Sequence, residues 1–376
     1  MISPRLSTYL DLLRFAAAMI VLLSHLAYTR FTDGAYLAIR EFNLGSDAVV
    51  VFFVLSGFVI AHTAKAKDGT IGQYFFNRAT RIYSVAIPAI LLTFILDRNG
   101  SAFNHQAYNG WWYNPASLGE MLWMGTTFCS EWNVSGFRLG TNGPYWSLSY
   151  EVAYYIFFAI AFYLRGFRRV AWLTVAIIVA GPKILILAPA WLMGVILYRL
   201  VNSQNDRTGS GSSCWLLAIA PAILYICSLS VGMPSYLASI SETALSPRVF
   251  QALRFSDEFL WNAIVGLFFS MHLLGVAAIM QSGSSNPSTS KVIKWLAGGS
   301  FSLYLVHYPV IQFMDAVLPE LPAVHWFRHG LLLLSTLVVC YLFAELFERR
   351  LRSFRSFCSG LCDRLEIAFN RRRKPI

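Results

Sequence analysis

The chain has 376 residues, of which 56% are hydrophobic, 15% are aromatic and only 13% are charged. Its mean hydropathy is +0.54, whereas ordinary soluble domains carry about 25% charged residues, so an ordinary soluble protein is excluded. The apolar residues form long blocks, many close to the roughly 20 residues that cross a bilayer. The net charge of +11 is therefore expected to act on topology and on anionic membrane lipids, not on nucleic acid.

Hydropathy predicts an all-α fold, a polytopic membrane helix bundle of about ten transmembrane helices. The predicted spans are residues 10–28, 45–64, 82–96, 145–164, 170–181, 184–200, 214–231, 258–280, 295–314 and 330–347. The fifth is short and is interrupted by Gly181-Pro182-Lys183, so the fifth and sixth are full spans, a helical hairpin or a re-entrant pair. The first is expected to be a retained span, because Arg14 breaks the signal-peptide pattern and no A-x-A site follows.

The distribution of positive charge predicts the orientation of the bundle. Ten spans put both termini on one side, and 22 of the 30 lysines and arginines fall there, nine of them after Phe347. The positive-inside bias therefore predicts that both termini are cytoplasmic. Residues 1–348 are expected to form the transmembrane domain. Residues 349–376 are expected to form a basic cytoplasmic tail that is either an amphipathic helix on the lipid or disordered.

The first span carries an arginine and a histidine eleven residues apart. Eleven helical residues end within about 20° of three full turns, so Arg14 and His25 share one stripe, about 16 Å apart. Asp11, three residues before Arg14, can orient its guanidinium. Ionisable residues inside a membrane are costly and usually functional. The alternative is structural, with a snorkelling arginine and a hydrogen-bonded histidine in the bundle.

Four later stretches place polar or small residues in apolar surroundings, each with a structural alternative. Ser56-Gly57 permits close helix approach or a local break. Arg78 and Arg81, one turn apart, make a fork for phosphate or else anchor the topology. Glu151 needs a partner, either in a salt bridge or in a catalytic site. His307, close to a proline, is either a site residue or a polar residue at a helix kink.

Together these stretches resemble the membrane acyltransferase-3 family, multi-span O-acyltransferases that modify bacterial cell-surface polysaccharides. The family motifs are matched, in order, by Arg14 with His25, FFVLSGF at 52–58, Arg78 with Arg81, WSLSYE at 146–151 and SFSLYLVHYP at 300–309. Five ordered motifs span nearly the whole chain, which makes chance a poor explanation. The chain departs from the family at Asp47, where a glycine or apolar residue is expected. It ends soon after the tenth span, as stand-alone members do.

The resemblance implies an enzyme, an O-acyltransferase that takes an acyl group, most often acetyl, from acyl-CoA on the cytoplasmic side. Acyl-CoA is then a co-substrate, and no permanently bound cofactor or metal is expected. Arg78, Arg81 and Arg14 are expected to bind the phosphates of the donor. His25 is expected to be the base toward the acceptor hydroxyl or, alternatively, an acyl-imidazole nucleophile, with Glu151 as a catalytic partner.

The acceptor is expected to be a glycan or lipid-linked glycan outside the bacterial cytoplasmic (inner) membrane, so that the transfer crosses the bilayer. The predicted outer loop, residues 98–143, is rich in Trp, Tyr and Asn, which suit sugars, although an interfacial aromatic belt has the same composition. The expected acceptor-binding residues are Asp47, Trp111, Trp112, Trp146 and His307. The competing function is a transporter or flippase for a glycan precursor, but the internal repeats common in transporters are not found.

Overall fold

A computed structural model describes residues 2–133, 135–203, 211–280, 286–319 and 325–372, with side chains described up to residue 361. This part of the chain is almost entirely helical, and its only extended pairing is an isolated bridge between Leu139 and Asn142. The all-α prediction is confirmed. Three 3₁₀ turns occur at Gln106–Tyr108, Gly143–Tyr145 and Arg254–Ser256, and one π-helical turn at Ala344–Glu348.

Most of the α-helices of the described residues are joined by short connections, and the longest connections precede and follow α6. In chain order they are α1 (Pro4–Leu26), α2 (Thr29–Thr32), α3 (Leu37–Glu41), α4 (Leu44–Ala66), α5 (Ile71–Phe103), α6 (Leu118–Thr127), α7 (Trp146–Tyr163), α8 (Gly166–Ala180), α9 (Pro182–Ser203), α10 (Ser212–Ser230), α11 (Met233–Ala244), α12 (Pro247–Leu253), α13 (Phe259–Ile279), α14 (Pro287–Ala297), α15 (Ser300–Val317), α16 (His325–Phe343) and α17 (Leu351–Arg372).

Seven helical stretches of the described residues are long and apolar enough to cross a membrane. They are Pro4–Leu26, Leu44–Ala66, Ile71–Phe103, Pro182–Ser203, Ser212–Ser230, Pro247–Ile279 and His325–Leu361. The other three predicted spans fall on α7, α8 and α15, which have 18, 15 and 18 residues. The protein is thus an all-α polytopic membrane bundle, whereas the count of ten spans and the cytoplasmic termini stay predictions.

The fifth and sixth predicted segments are α8 and α9, joined by Gly181 alone. The φ of Gly181 is +84°, and an added Cβ would lie 2.6 Å from the Cα of Asn133. Only glycine fits this turn, because it tolerates both the left-handed backbone and the close approach. At 15 residues, α8 is about 22 Å long, less than the roughly 30 Å hydrocarbon core of a bilayer. The longer α9 is among the seven candidate spans.

The ninth span was predicted to begin at residue 295, but the helix that forms most of it begins at Ser300. Trp295 belongs to α14, the chain turns at Gly298-Gly299, and α15 starts only at Ser300. Hydropathy missed this turn because the two glycines interrupt the helix without introducing a charge. An added Cβ on Gly299 would lie 3.0 Å from the ring of Tyr341, so this turn requires a small residue.

The chain turns after α16 and stays helical through its last described residues. The carboxylate of Glu348, in the π-helical turn, accepts a 2.8 Å hydrogen bond from the N–H of Ser302 at the start of α15. On α17, Arg355 donates a 3.4 Å hydrogen bond to Thr80 of α5. Of the two predictions for the tail, helix or disorder, residues 351–372 agree with the helix. Residues 373–376, with the end of the basic run, lie outside the described part.

Helix α4 occupies the centre of the bundle, in contact with α1, α9 and α13. It approaches α9 closely because both helices have a glycine at the contact. A Cβ on Gly57 would collide with the Trp191 carbonyl, and one on Gly194 would collide with the Val54 carbonyl. Since α4 runs unbroken from Leu44 to Ala66, the Ser56-Gly57 pair serves close packing and not a helix break.

Candidate active site

The bundle has two ends, here called the tail end and the loop end. The tail end is the one that carries α17 and the start of α1. The loop end is the opposite one, and it carries residues 104–145 between α5 and α7. The sequence motifs divide between these two ends.

The two predicted site histidines contact each other near the loop end. His25 on α1 and His307 on α15 approach with 2.9 Å between Nδ1 of His25 and Nε2 of His307. The other ring nitrogen of His307, Nδ1, lies 2.8 Å from the carbonyl oxygen of Leu303. His307 is fully buried, at 0% exposure, and His25 is half-buried. The backbone of α15 therefore fixes His307, and His25 is the more exposed member of the pair.

This chain of contacts determines where the protons lie when both rings are neutral. The carbonyl of Leu303 can only accept, so Nδ1 of His307 carries the proton and Nε2 of His307 accepts. Nδ1 of His25 must then donate, which leaves Nε2 of His25 without a proton. The free nitrogen of His25 is thus an acceptor, the form required of a base or a nucleophile.

A proline helps to hold this part of α15. Pro309 has no N–H, so the carbonyl of Leu305, four residues earlier, loses its helical partner. The side-chain amide of Asn142 donates to that carbonyl at 3.0 Å and to Thr93 at 3.1 Å. The carbonyl that Pro309 leaves without a helical partner therefore connects α15, through Asn142, to the loop end beside the histidine pair.

Aromatic rings surround His25. The ring of Tyr308 meets His25 edge-on with 4.9 Å between centroids, and Tyr28 stacks at 6.0 Å. Trp111 lies 6.0 Å from Tyr28, and Trp112 lies 6.1 Å from Trp111. We call these four rings, together with Arg30, Arg40 and Arg138 beside them, the loop-end mouth. The structure thus connects the predicted Trp111 and Trp112 to His25 through the ring of Tyr28.

The three arginines of the mouth were not predicted as site residues. The guanidinium of Arg40 lies over Tyr28 at 3.7 Å, that of Arg30 over Trp112 at 4.5 Å, and that of Arg138 over Trp111 at 5.5 Å. The topology predicted from the sequence places these three arginines on the less basic side of the membrane. It gave no sign that long-range packing would gather them around His25.

A cavity of about 360 Å³ opens at the tail end and extends toward the histidine pair. Five cations line it, against the two carboxylates of Asp68 and Glu151. These cations are the predicted Arg14, Arg78 and Arg81, together with Lys67 and Arg355, which the sequence analysis missed. We call this space the tail-end cavity. Its charge suits a polyanion such as the phosphates of a nucleotide.

The arginines of the tail-end cavity differ in how firmly they are held. Arg78 donates to Asp68 at 3.1 Å and to Thr63 at 3.0 Å. Arg14 lies 3.5 Å from Asp11, as the sequence predicted. Arg81 is exposed and has no ion pair or hydrogen bond with a described side chain. Arg81 is therefore the most available of the three for an external anion.

Glu151 lies on the wall of the tail-end cavity and does not contact His25. Its carboxylate accepts hydrogen bonds from Ser56 at 2.9 Å and from Tyr155. The partner of His25 is His307, which the sequence analysis had assigned to the acceptor. The structure therefore does not bring Glu151 and His25 together through a hydrogen bond.

Tyr304 connects the two parts of the site. It lines the tail-end cavity, and its ring centroid lies 6.4 Å from that of His307, one turn further along α15. The hydroxyl of Tyr304 donates to Ser147 at 2.8 Å, and its ring meets Phe52 edge-on at 5.3 Å. The family motifs on α4, α7 and α15 thus meet between the cavity and the histidines.

The two other predicted acceptor residues lie apart from the rings of the mouth. Trp146 stacks on Phe255 at 4.4 Å and lines a small pocket next to Arg138. Asp47 is 4% exposed, and its two oxygens accept hydrogen bonds from Tyr225 at 2.7 Å and Trp261 at 2.8 Å. It borders an apolar cavity between α1, α4, α10 and α13. Its role at the acceptor stays a prediction.

Comparison with known proteins connects these features to a family. A family model described as an acyltransferase domain, acyltransferase-3, matches residues 7–345. The chain belongs to the acyltransferase-3 family. Acyltransferase MdmB of Streptomyces mycarofaciens is 28% identical over 330 residues, 80% of this chain and 78% of that protein. No solved structure matches the chain.

A second relative of this acyltransferase-3 protein matches part of the chain. The O-acetyl transferase of Shigella phage Sf6 is 28% identical over 161 residues, which cover 41% of this chain and 46% of that protein. The family assignment and the apolar helices together make the protein a multi-pass membrane acyltransferase. They favour acyl transfer over the competing transport function.

Proposed function

We propose that this protein transfers an acetyl group from acetyl-CoA to a hydroxyl of a bacterial cell-surface glycan or its lipid-linked precursor. The donor binds in the tail-end cavity from the cytoplasm, the acceptor binds at the loop-end mouth outside the cytoplasmic membrane, and the acyl group crosses between them. The observation that carries the proposal is the position of His25, between a cation-lined cavity and a mouth of aromatic rings. The printed name of the phage relative, an O-acetyl transferase, supports acetyl as the group.

The donor is held by charge at one end and reaches the histidine pair at the other. Arg81, Arg14 and their neighbours in the tail-end cavity bind the phosphates through charge-assisted hydrogen bonds. Arg14 and His25 are about 16 Å apart along α1, a distance comparable to the reach of a pantetheine arm. The thioester therefore arrives near Tyr304, beside the histidines.

His25 then acts as a base toward the acceptor. The hydroxyl proton moves to Nε2 of His25 while the hydroxyl oxygen forms a bond with the thioester carbonyl carbon. The carbon–sulfur bond breaks, and the CoA thiolate leaves and takes the proton from the imidazolium. His307 keeps the reactive nitrogen of His25 free by accepting from Nδ1. An acyl-imidazole intermediate on His25 is the alternative route, and it would appear as an acetylated protein without acceptor.

The test measures the turnover of the purified protein in nanodiscs with two substrates. They are acetyl-CoA and the surface glycan of a strain that lacks this protein. The wild type should release CoA and acetylate the glycan, as measured by mass spectrometry. His25→Gln, which keeps the size and hydrogen bonding but cannot take a proton near neutral pH, should lose turnover by about 10²–10⁴-fold and keep CoA affinity.

His62→Gln is the matched control for that test, since His62 lies on α4 beside Tyr198 and is not among the residues that line the tail-end cavity. It should retain full turnover. Glycan flux into sealed proteoliposomes that contain the same protein, without CoA release, would instead establish a transporter. Full turnover in His25→Gln would remove His25 from the chemistry.

A further inference from the structure

Several cations at the loop end of the bundle have no carboxylate in contact, although this end also carries exposed carboxylates such as Asp33, Glu41 and Glu120. Lys183 and Arg254 pair with the buried Glu131 at 3.2 Å each, and Arg328 pairs with Asp315 at 2.7 Å. The remaining cations of this end fall into two groups. Arg98 and Arg248 are exposed to solvent, whereas Arg30, Arg40 and Arg138 are half-buried in the loop-end mouth.

Arg138 is the clearest case of a cation without a carboxylate in contact, although it lies within the electrostatic reach of Glu131, which Lys183 and Arg254 already pair. Within the described residues, its guanidinium has no carboxylate within 4.0 Å and no hydrogen-bond acceptor. It lies over Trp111 and so close to Gly143 that an added Cβ there would be 2.7 Å from Nη1. The glycine therefore makes room for this side chain at the mouth.

Arg40 and Arg30 are held by neutral groups only. Arg40 donates to the backbone carbonyl of Ser24 at 3.1 Å and lies over Tyr28. Arg30 donates to Tyr308 at 2.9 Å and to Gln312, and its Nε is buried with no partner in the described part of the chain. Neutral acceptors orient a guanidinium without cancelling its charge.

Three half-buried guanidiniums at one opening repel one another, and each keeps donors that a planar oxyanion can accept in pairs. A neutral sugar would need the aromatic rings and a few hydrogen bonds, but not this charge. His25 lies within the electrostatic reach of Arg40 and Arg138.

We propose that the loop-end mouth binds an oxyanion of the acceptor, so that the acceptor is an anionic saccharide and not a neutral one. This inference rests on the proposed function. The oxyanion is either a carboxylate of the sugar itself or a phosphate that joins the sugar to a lipid carrier. Tyr28, Trp111 and Tyr308 then cover the sugar ring while the arginines hold the charge.

The test is equilibrium binding to the full chain in phosphatidylcholine nanodiscs without acetyl-CoA. The probes are methyl glucoside, glucuronate and glucose 1-phosphate. The wild type should bind one or both anionic probes about tenfold more tightly than methyl glucoside. Tighter binding of glucuronate assigns the carboxylate of a sugar, and tighter binding of glucose 1-phosphate assigns the phosphate of a carrier.

Variants separate charge from shape in the same measurement. Arg138→Gln should abolish the preference for the anionic probes and leave the affinity for methyl glucoside within twofold, while Arg138→Lys should keep part of the preference. Arg40→Gln should act in the same direction. Arg248→Gln, an equal loss of charge at an exposed site of the same end, should change nothing.

Two results would overturn the inference. One is equal affinity of the wild type for all three probes, and the other is an equal loss for all three in Arg138→Gln, which would mean that the arginine only shapes the mouth. Binding of CoA at the tail end reports whether each variant is folded. Because the assay contains no acetyl-CoA, a failure of acetyl transfer with intact anion preference would count against the proposed function alone.

Discussion

The tail-end cavity and the loop-end mouth are both rich in arginine, but their cations have different neighbours. In the cavity, Arg78 is fixed by Asp68 and Arg14 by Asp11. In the mouth, Arg40 and Arg138 lie over aromatic rings without a carboxylate partner in the described residues. Carboxylates near a cation limit how much further negative charge it attracts, whereas a ring leaves the cation available and adds an apolar surface.

The difference indicates two kinds of ligand. A cavity of fixed and free cations suits a soluble nucleotide that carries several phosphates and must also leave again. A mouth of rings and unpaired guanidiniums suits a saccharide with one anionic group. The histidine pair lies between the two, so under the proposed function each ligand would be recognised by its own end of the bundle.

The first prediction concerns the sides of the membrane, and it has the largest consequence. A reporter fused after Phe357 should be cytoplasmic, and one inserted near Asn109 should be external, since most lysines and arginines lie at the tail end. Paired fusions of alkaline phosphatase and a fluorescent protein measure this. The opposite pattern would exchange the donor and acceptor assignments of the two ends.

The second prediction concerns His307 as the positioning residue for His25. His307→Ala should lower kcat by about 10–10²-fold, because Nδ1 of His25 loses its acceptor and the base is no longer held in one tautomer. The KM for acetyl-CoA should stay within twofold. His307→Gln, whose amide oxygen can accept from His25, should recover part of kcat. A purely structural His307 would instead lower the thermal stability and leave kcat per folded protein unchanged.

The third prediction separates the arginines of the tail-end cavity. Arg81→Ala should raise the Kd for CoA by about 10–10²-fold, because a charge-assisted contact to phosphate contributes about 1.5–3 kcal/mol. Arg78→Ala should also lower the thermal stability, since it leaves Asp68 buried and unpaired. The double variant should bind most weakly, and Arg→Lys should recover only part of the affinity.

Arg168→Ala is the control for these variants, an exposed cation outside the cavity. Calorimetry of CoA binding to each protein in nanodiscs gives the affinities. Unchanged affinity in the double variant, with lower protein levels, would make both arginines topology anchors.

Local patterns in the sequence predicted much of this arrangement. Helical spacing placed Arg14 and His25 on one stripe and Arg78 beside Arg81, and hydropathy predicted the polytopic bundle. These features depend only on residues within one helix. The turn at Gly298-Gly299 was missed because it changes the backbone without changing the hydropathy.

The contacts that the sequence did not predict join distant segments. His25 and His307 are 282 residues apart, and no periodicity within either helix indicates that they pair. Arg138 comes from the loop between α5 and α7, and its ring partner Trp111 becomes a neighbour only through folding of that loop. Glu151 was expected to be a catalytic partner of His25 because both match motifs of the family, but its partners Ser56 and Tyr155 lie on the cavity wall.

The last prediction concerns Asp47, which lies apart from both ligand-binding ends and should have the smallest effect on activity. Each of its oxygens already accepts a hydrogen bond, from Tyr225 or from Trp261. Asp47→Asn keeps one acceptor and turns an N–H₂ group toward the other donor, so it should lower the thermal stability by weakening the contact of α4 with α10 and α13. The acceptor KM and kcat should remain within twofold, as measured by CoA release with saturating acetyl-CoA. A large rise in the acceptor KM at unchanged stability would show that the apolar cavity beside Asp47 takes part in acceptor binding, as its departure from the family motif first suggested.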